Sequence, residues 1–190
     1  MSIKVLSYSA SIPDGIIIDT TSRSKNWTRA LSPFYLGPVE LYDGMVSQNF
    51  ENAWQFSKVY SQHTEDGEPT DEYWKWAKKG WADSWAHRYP MGRGAIPKYS
   101  LWKGEKLGYI DARKKIYIPL YVTEVKKTEA FSKLVELAKQ AGSEGKNLYL
   151  RDFDAYDNIK AEMSYHDVMN CEERKMGHAF VIAMLLEGIL

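Results

Sequence analysis

The stretch Asn49-Phe50-Glu51-Asn52-Ala53-Trp54-Gln55-Phe56-Ser57-Lys58 sets the class of this chain. Phe50, Ala53, Trp54 and Ser57 recur at helical spacing, and Asn49 stands where a capping side chain belongs, so a helix is predicted to begin near Asn49. On that helix Glu51, Gln55 and Lys58 share one face beside Trp54. An acid, an amide and a cation then lie over a bulky apolar wall. Immediately upstream, Ser32 to Gly44 combines Pro and Gly with alternating Val39 and Leu41. That pattern predicts an irregular approach, a strand, and a turn at Tyr42-Asp43-Gly44. Further upstream, Gly15-Ile16-Ile17-Ile18-Asp19 reads as a short buried strand preceded by the turn signal Pro13-Asp14-Gly15. Strands and a helix thus alternate over this part of the chain, an α/β-type pattern.

Downstream, the acidic segment His63 to Pro69 predicts a surface loop. Thr70 opens a second helix whose apolar stripe is Tyr73, Trp74, Ala77, Trp81 and Trp85, with Gly80 weakening it without ending it. Arg88 to Lys98 holds Arg88, Arg93 and Lys98 among Pro90, Gly92, Gly94 and Pro97, so it predicts a loop. Lys103 to Lys115 is expected to be helical. The run 116–122 fits either a strand or a helix interrupted at Pro119. Thr128 to Gln140 is an amphipathic helix closed by Gly142, Asn147 to Phe153 a strand, and Gly177 to Leu190 a strongly apolar helix.

The length of 190 residues suits one core, and a single domain over 1–190 is expected. Hydrophobic residues at 44% and charged residues at 26% give the ordinary globular balance. Lys plus Arg (25) cancels Asp plus Glu (25), so any nucleic-acid contact must come from a local patch. Cys171 is the only cysteine, which excludes an internal disulfide and a Cys-rich zinc site and fits a reducing cytoplasm. No apolar run reaches a membrane span, and no secretory leader is evident at the N-terminus. Seven Trp and thirteen Tyr are unusual, and six of the Trp lie between Trp54 and Trp102. Most should be core, with a few available to line a ligand pocket.

Leu31-Ser32-Pro33-Phe34-Tyr35, then Leu41-Tyr42-Asp43-Gly44, then Glu51 to Lys58 resembles the NADAR (YbiA-like) family. In that family a Ser-x-Phe segment precedes a strand, an Asp-Gly turn and a Glu-x-x-x-Gln-x-x-Lys helix. The likeness is strongest over 31–58. It continues through Tyr99-Ser100-Leu101-Trp102, the acidic stretch Leu150 to Tyr156, and a closing helix from Met176. The resemblance implies a compact, mostly helical α/β (α+β) single domain with a small sheet, which hydrolyses the C–N glycosidic bond of a ribosylated or ADP-ribosylated nucleotide-like substrate without a metal or other cofactor. Its partner would be a nucleotide-like small molecule or ADP-ribosylated nucleic acid, and no membrane. Glu51 matches the catalytic glutamate, Trp102 the pocket tryptophan, and Asp152 or Asp154 the second acid. Phe50, Asn52 and Tyr156-Asp157 depart from the residues that the family carries there.

The chemistry suits the residue types. Breaking a ribosyl C–N bond passes through an oxocarbenium-like state, which a carboxylate stabilises or supplies with an activated water. Trp54, Gln55 and Lys58 are candidate substrate contacts beside Glu51, and Trp102 a candidate stacking wall. Arg88, Arg93 and Lys98 are candidate phosphate contacts. Asp152, Asp154 and Asp157 lack the spacing of a calcium loop. His166 and His178 lack metal-ligand spacing and are read as structural, and Cys171 has no basic activator in its sequence neighbourhood. Two further functions use the same residues: nonenzymatic binding of a nucleotide or nucleotide signal, and glycosyl or phosphoribosyl transfer to nucleic acid or its precursors.

Overall fold

In the computed structural model, which describes residues 2–11 and 14–190, short strands and helices interleave along the chain. β1 (Ile3–Ser7) and β2 (Ile16–Asp19) come first, then a 3-10 turn at Trp27–Leu31 and a hairpin of β3 (Val39–Glu40) and β4 (Val46–Ser47). Next are α1 (Phe50–Gln55), β5 (Lys58–Val59), a second hairpin of β6 (Thr64–Glu65) and β7 (Glu68–Pro69), and α2 (Asp71–Ala82). β8 (Tyr99–Trp102) and β9 (Glu105–Leu107) lead into α3 (Tyr109–Ala112), a π turn at Arg113–Tyr117 and α4 (Ile118–Lys126). α5 (Glu129–Ser143), β10 (Leu148–Asp152), α6 (Tyr165–Asn170) and α7 (His178–Leu186) complete the order. The fold is α/β, mostly helical with small sheets, as the sequence predicts. Pro13 of the predicted turn before β2 lies outside the described residues.

The chain divides into two compact units, residues 1–35 with 121–190, and residues 36–120. In the first, β10 lies between β1 and β2 in a parallel sheet, with Leu148 opposite both Ile3 and Ile16. A central parallel strand is covered on both faces, and Leu148 and Leu150 are completely buried. α7 is apolar on every side, and Ala179 through Met184 are all fully buried, as a helix without a polar stripe must be. α5 is amphipathic and buries only Ala130, Phe131, Leu134, Ala138 and Ala141.

In the second unit, α2 buries Tyr73, Ala77 and Trp81 against Phe56, Val59 and Leu101. Gly80 belongs to that face because a Cβ there would stand 2.1 Å from the Phe56 ring. β8 is the middle strand of an antiparallel sheet with β5 and β9. Tyr42, Trp102, Leu107, Ala112 and Ile116 form a second cluster, against which Trp54 packs.

Four expectations need correction, and one open alternative, at 116–122, is settled. The first helix ends at Gln55, so Lys58, expected on its face, lies on β5 instead. Trp85 lies beyond α2 and is 75% exposed, because Asn52 and Asn49 capture the carbonyls of Asp83, Ser84 and Trp85 and draw the chain off the helix axis. Lys103 to Lys115 is not one helix: Lys103 and Gly104 adopt left-handed backbone and reverse the chain into β9, and the helix begins only at Tyr109. The ambiguous run 116–122 is helical. Pro119 is accommodated because the Ile118 N–H already bonds five residues back to Arg113 in the π turn, where the regular ladder is interrupted. Finally, α5 runs through Gly142 and is closed at Gly145, with Lys146 N–H bonded to the Ala141 carbonyl at 2.9 Å.

Candidate functional site

α1 begins where the sequence predicts. The Asn49 side chain accepts the Asn52 N–H at 2.8 Å, satisfying one of the donors that a helix start leaves over. That cap fixes the rotation of the helix and therefore the directions of the residues that follow. Glu51 is 7% exposed and Gln55 9%. Gln55 Nε2 donates to Glu51 Oε1 at 2.9 Å, and Lys58 Nζ donates to Gln55 Oε1 at 2.7 Å. An ammonium only donates and a carboxylate only accepts, so the two together fix which end of the amide faces which partner. Lys58 also stands 4.8 Å from the centroid of the Trp54 ring. Thus acid, amide, cation and indole form one continuous chain that runs from α1 to Lys58 on β5.

An aromatic wall backs this chain. The Tyr117 ring meets the edges or faces of both Phe50 and Trp54 at 5.2 Å, near perpendicular in each case. Tyr117 sits on the π turn, a helix distortion that is often found at functional sites, and the same turn carries the buried Arg113. Neither Tyr117 nor Arg113 was singled out by sequence reading. Only the burial of an Arg could have flagged that segment, and burial of a charge is not visible in composition. Trp102 is buried in the neighbouring cluster and meets Tyr42 edge-on at 4.9 Å. Burial and the nearby Asp43 charge push the Tyr42 hydroxyl up to about 12, so it remains a neutral part of this wall.

The basic residues of 83–98 also belong to the second unit. Asn52, the residue after Glu51, is completely buried; its Nδ2 donates to the Asp83 and Trp85 carbonyls, and its Oδ1 accepts the His87 N–H. The guanidinium carbons of Arg88 and Arg93 each lie 5.5 Å from the centroid of Tyr89. Lys98 is exposed, and its backbone N–H bonds the Val59 carbonyl at 2.8 Å.

Asp152 and Asp154 belong to the first unit. Asp152 is 4% exposed, and its carboxylate meets His178 Nδ1 at 3.0 Å, the Ala179 N–H at 3.3 Å and the Phe153 N–H at 2.6 Å. It therefore ties the end of β10 to the start of α7, and Gly177 is needed there because a Cβ would stand 2.1 Å from Asp152 Oδ2. Burial works against ionisation of Asp152, yet the His178 charge and these hydrogen bonds outweigh it and hold the carboxyl below its ordinary value. Asp154 is half-buried. It lines a shallow hollow of about 310 Å³ with Phe153, Ala155, Tyr156, Arg174 and Lys175, and lies 3.8 Å from Lys175 Nζ.

Among the described residues, no group of three or more His, Cys, Asp or Glu side chains is placed to hold a metal ion, and no helix is long and apolar enough to cross a membrane. The profile of a family of unknown function, DUF6939, matches residues 2–167, and the chain belongs to that family. Neither curated proteins nor solved structures give a significant match.

Proposed function

We propose that this member of the DUF6939 family hydrolyses an N-glycosidic bond in a ribosylated or ADP-ribosylated nucleotide-like substrate, in a reducing cytoplasmic setting. The observation that carries the reading is the Glu51–Gln55–Lys58 chain: a carboxylate aimed by an amide that is itself fixed by a cation, beside the Trp54 and Tyr117 rings. Water adds to the anomeric carbon while the C–N bond breaks. Glu51 takes the proton of the attacking water, or faces the positive charge that develops on the sugar, and the base departs with its bonding pair and a proton. Trp54 offers an apolar surface to the sugar or base. The reading takes no step through Asp152, whose oxygens are occupied in holding α7.

Incubation of the protein with ADP-ribosylated DNA, NAD-related nucleotides and ribosylamine substrates, followed by mass spectrometry for a released base or amine, tests this directly. Release that falls by about two orders of magnitude in Glu51→Gln, with the fold intact, supports the assignment. Full turnover in that variant removes it. The near-complete burial of Glu51 favours one second reading, a nucleotide-binding protein without turnover. Saturable binding with no product in the same screen supports that reading, and transfer of the sugar to a nonwater acceptor indicates a transferase.

A further inference from the structure

From Ser84 to Gly104 the sequence contains no Asp or Glu, whereas Arg88, Arg93, Lys98 and Lys103 all fall within it. In a chain whose acids and bases balance, this segment is locally cationic. It also turns large apolar groups outward: Trp85 is 75% exposed, Ile96 86% and Tyr89 39%.

The exposure of Trp85 is built in. Its N–H donates to Asp83 Oδ1 at 2.8 Å, its carbonyl accepts from the buried Asn52 at 2.8 Å, and two residues on the His87 N–H returns to Asn52 Oδ1 at 2.8 Å. The His87 ring is pinned in turn by Asp83 Oδ2 at 2.8 Å and rests edge-on against Phe56 at 5.8 Å. The backbone is therefore fixed from both sides while the indole is held out to solvent. Beyond it, two successive turns, Gly92 N–H to Tyr89 O at 3.0 Å and Ala95 N–H to Gly92 O at 3.4 Å, set Arg93 between Gly92 and Gly94.

We propose that residues 83–98 form a docking surface for single-stranded nucleic acid, in which Trp85 stacks on a base and Arg88, Arg93 and Lys98 meet phosphates. A pre-positioned, exposed indole offers a flat face, and among nucleic acids it is the unpaired bases of a single strand that offer a free flat face in return, while the neighbouring cations suit its phosphates. Cations on a membrane-surface element lie on the side opposite its apolar face. Here they are interleaved with the aromatics, since both guanidiniums lie against the Tyr89 ring. This goes beyond the glycosidase reading and stands without it, because docking requires no turnover at Glu51.

The test is fluorescence anisotropy of the full chain with a labelled single-stranded oligonucleotide of mixed sequence, its duplex, and anionic vesicles, run in parallel in the Glu51→Gln background so that failure of the chemistry leaves the binding result readable. We expect the single strand to bind more tightly than the duplex, with quenching of tryptophan fluorescence. Trp85→Ala should weaken single-strand binding by about tenfold or more, the scale of one lost base–aromatic stack, with unchanged circular dichroism and Tm, while Trp85→Phe keeps most of it. Arg93→Ala should reduce the slope of log affinity against log salt by roughly 0.7, the loss of one phosphate contact on a single strand. Absence of single-strand binding at low salt, equal affinity for duplex, no effect of Trp85→Ala, or preference for vesicles would each overturn the proposal.

Discussion

His178 and Asp152 form a buried pair, Nδ1 to Oδ2 at 3.0 Å, with each side chain only 6% exposed. The other ring nitrogen, Nε2, lies 2.8 Å from the Thr20 carbonyl, which can only accept. Nε2 therefore carries a proton. With Asp152 ionised, Nδ1 carries one as well, and the pair is an imidazolium against a carboxylate. Through it β10, the end of β2 and the start of α7 are joined at one point.

A buried pair broken on one side leaves an unmatched charge, so Asp152→Asn and His178→Phe should each destabilise the protein by about 3–5 kcal/mol. Replacing both by apolar residues of similar volume should cost less than either single change, since no uncompensated charge remains. Urea denaturation of the three variants gives the comparison. A double variant less stable than both singles would show that the pair contributes more than charge neutralisation.

The pH dependence follows from the directions at two sites. The folded value of Asp152 lies below the ordinary 3.8, so its contribution is complete above 3.8 and is lost as pH falls through the lower folded value. Burial among Tyr60, Tyr73 and Trp76 depresses His63 below 6.5, partly offset by Glu72, so the folded state favours the neutral ring. Its contribution is complete above 6.5 and is lost as pH falls through its depressed folded value. Acidification from neutrality should therefore lower the urea midpoint in two stages. His63→Phe should remove the earlier stage, and a midpoint that rises between neutrality and pH 5 would contradict the His63 assignment.

The start of α1 and the Glu51–Gln55 contact were legible in the sequence because they are local: capping chemistry and i, i+4 spacing decide them within ten residues. β10 was legible as an alternating run, but its partner β1 was not, because parallel pairing of Ile3 with Leu148 joins residues far apart in sequence. The strands β8 and β9 were missed for a related reason. Lys103 to Lys115 has the composition of a helix, and only the pairing of Ser100 with Leu107 and Trp102 with Glu105 overrides it. At the candidate site, Glu51, Trp54 and Gln55 fall on α1 as expected, but Lys58 does not share that helical face: α1 ends at Gln55 and Lys58 reaches the amide from β5. The tethering of Asp152 by His178 could not be read, since each carries its role only through the other.

Gly80 separates two opposing effects of one substitution. Glycine inside a helix costs about 1 kcal/mol relative to alanine, so Gly80→Ala at an exposed site would stabilise. Here the added Cβ would meet three atoms of the buried Phe56 ring at 2.1 to 2.3 Å, and overpacking of this kind costs about 1–3 kcal/mol. The ring cannot yield freely because Trp76 and His87 also press on it. Net destabilisation is expected. Phe56→Leu with Gly80→Ala should recover part of the loss, and a more stable Gly80→Ala single variant would show that the ring moves aside.

Asn52 tests whether the exposed loop is held as tightly as its hydrogen bonds imply. Its amide makes three bonds to the backbone of residues 83–87 and lies wholly within the protein. Asn52→Ala removes all three, but the carbonyls of Asp83 and Trp85 lie close enough to the surface to turn toward water, so the loss should be about 1–3 kcal/mol rather than the sum of three buried vacancies. Most of that loss should appear locally. Amide exchange at His87, whose N–H is donated to Asn52, should accelerate strongly, whereas amides of α2 such as that of Ala77 should exchange at nearly their original rate. Equal acceleration at both would mean that Asn52 supports the whole unit. If the loop instead loosens alone, the indole of Trp85 loses its fixed direction without losing its exposure. Single-strand affinity in Asn52→Ala should then fall less than in Trp85→Ala, because ordering the loop on binding costs less than the absence of the ring.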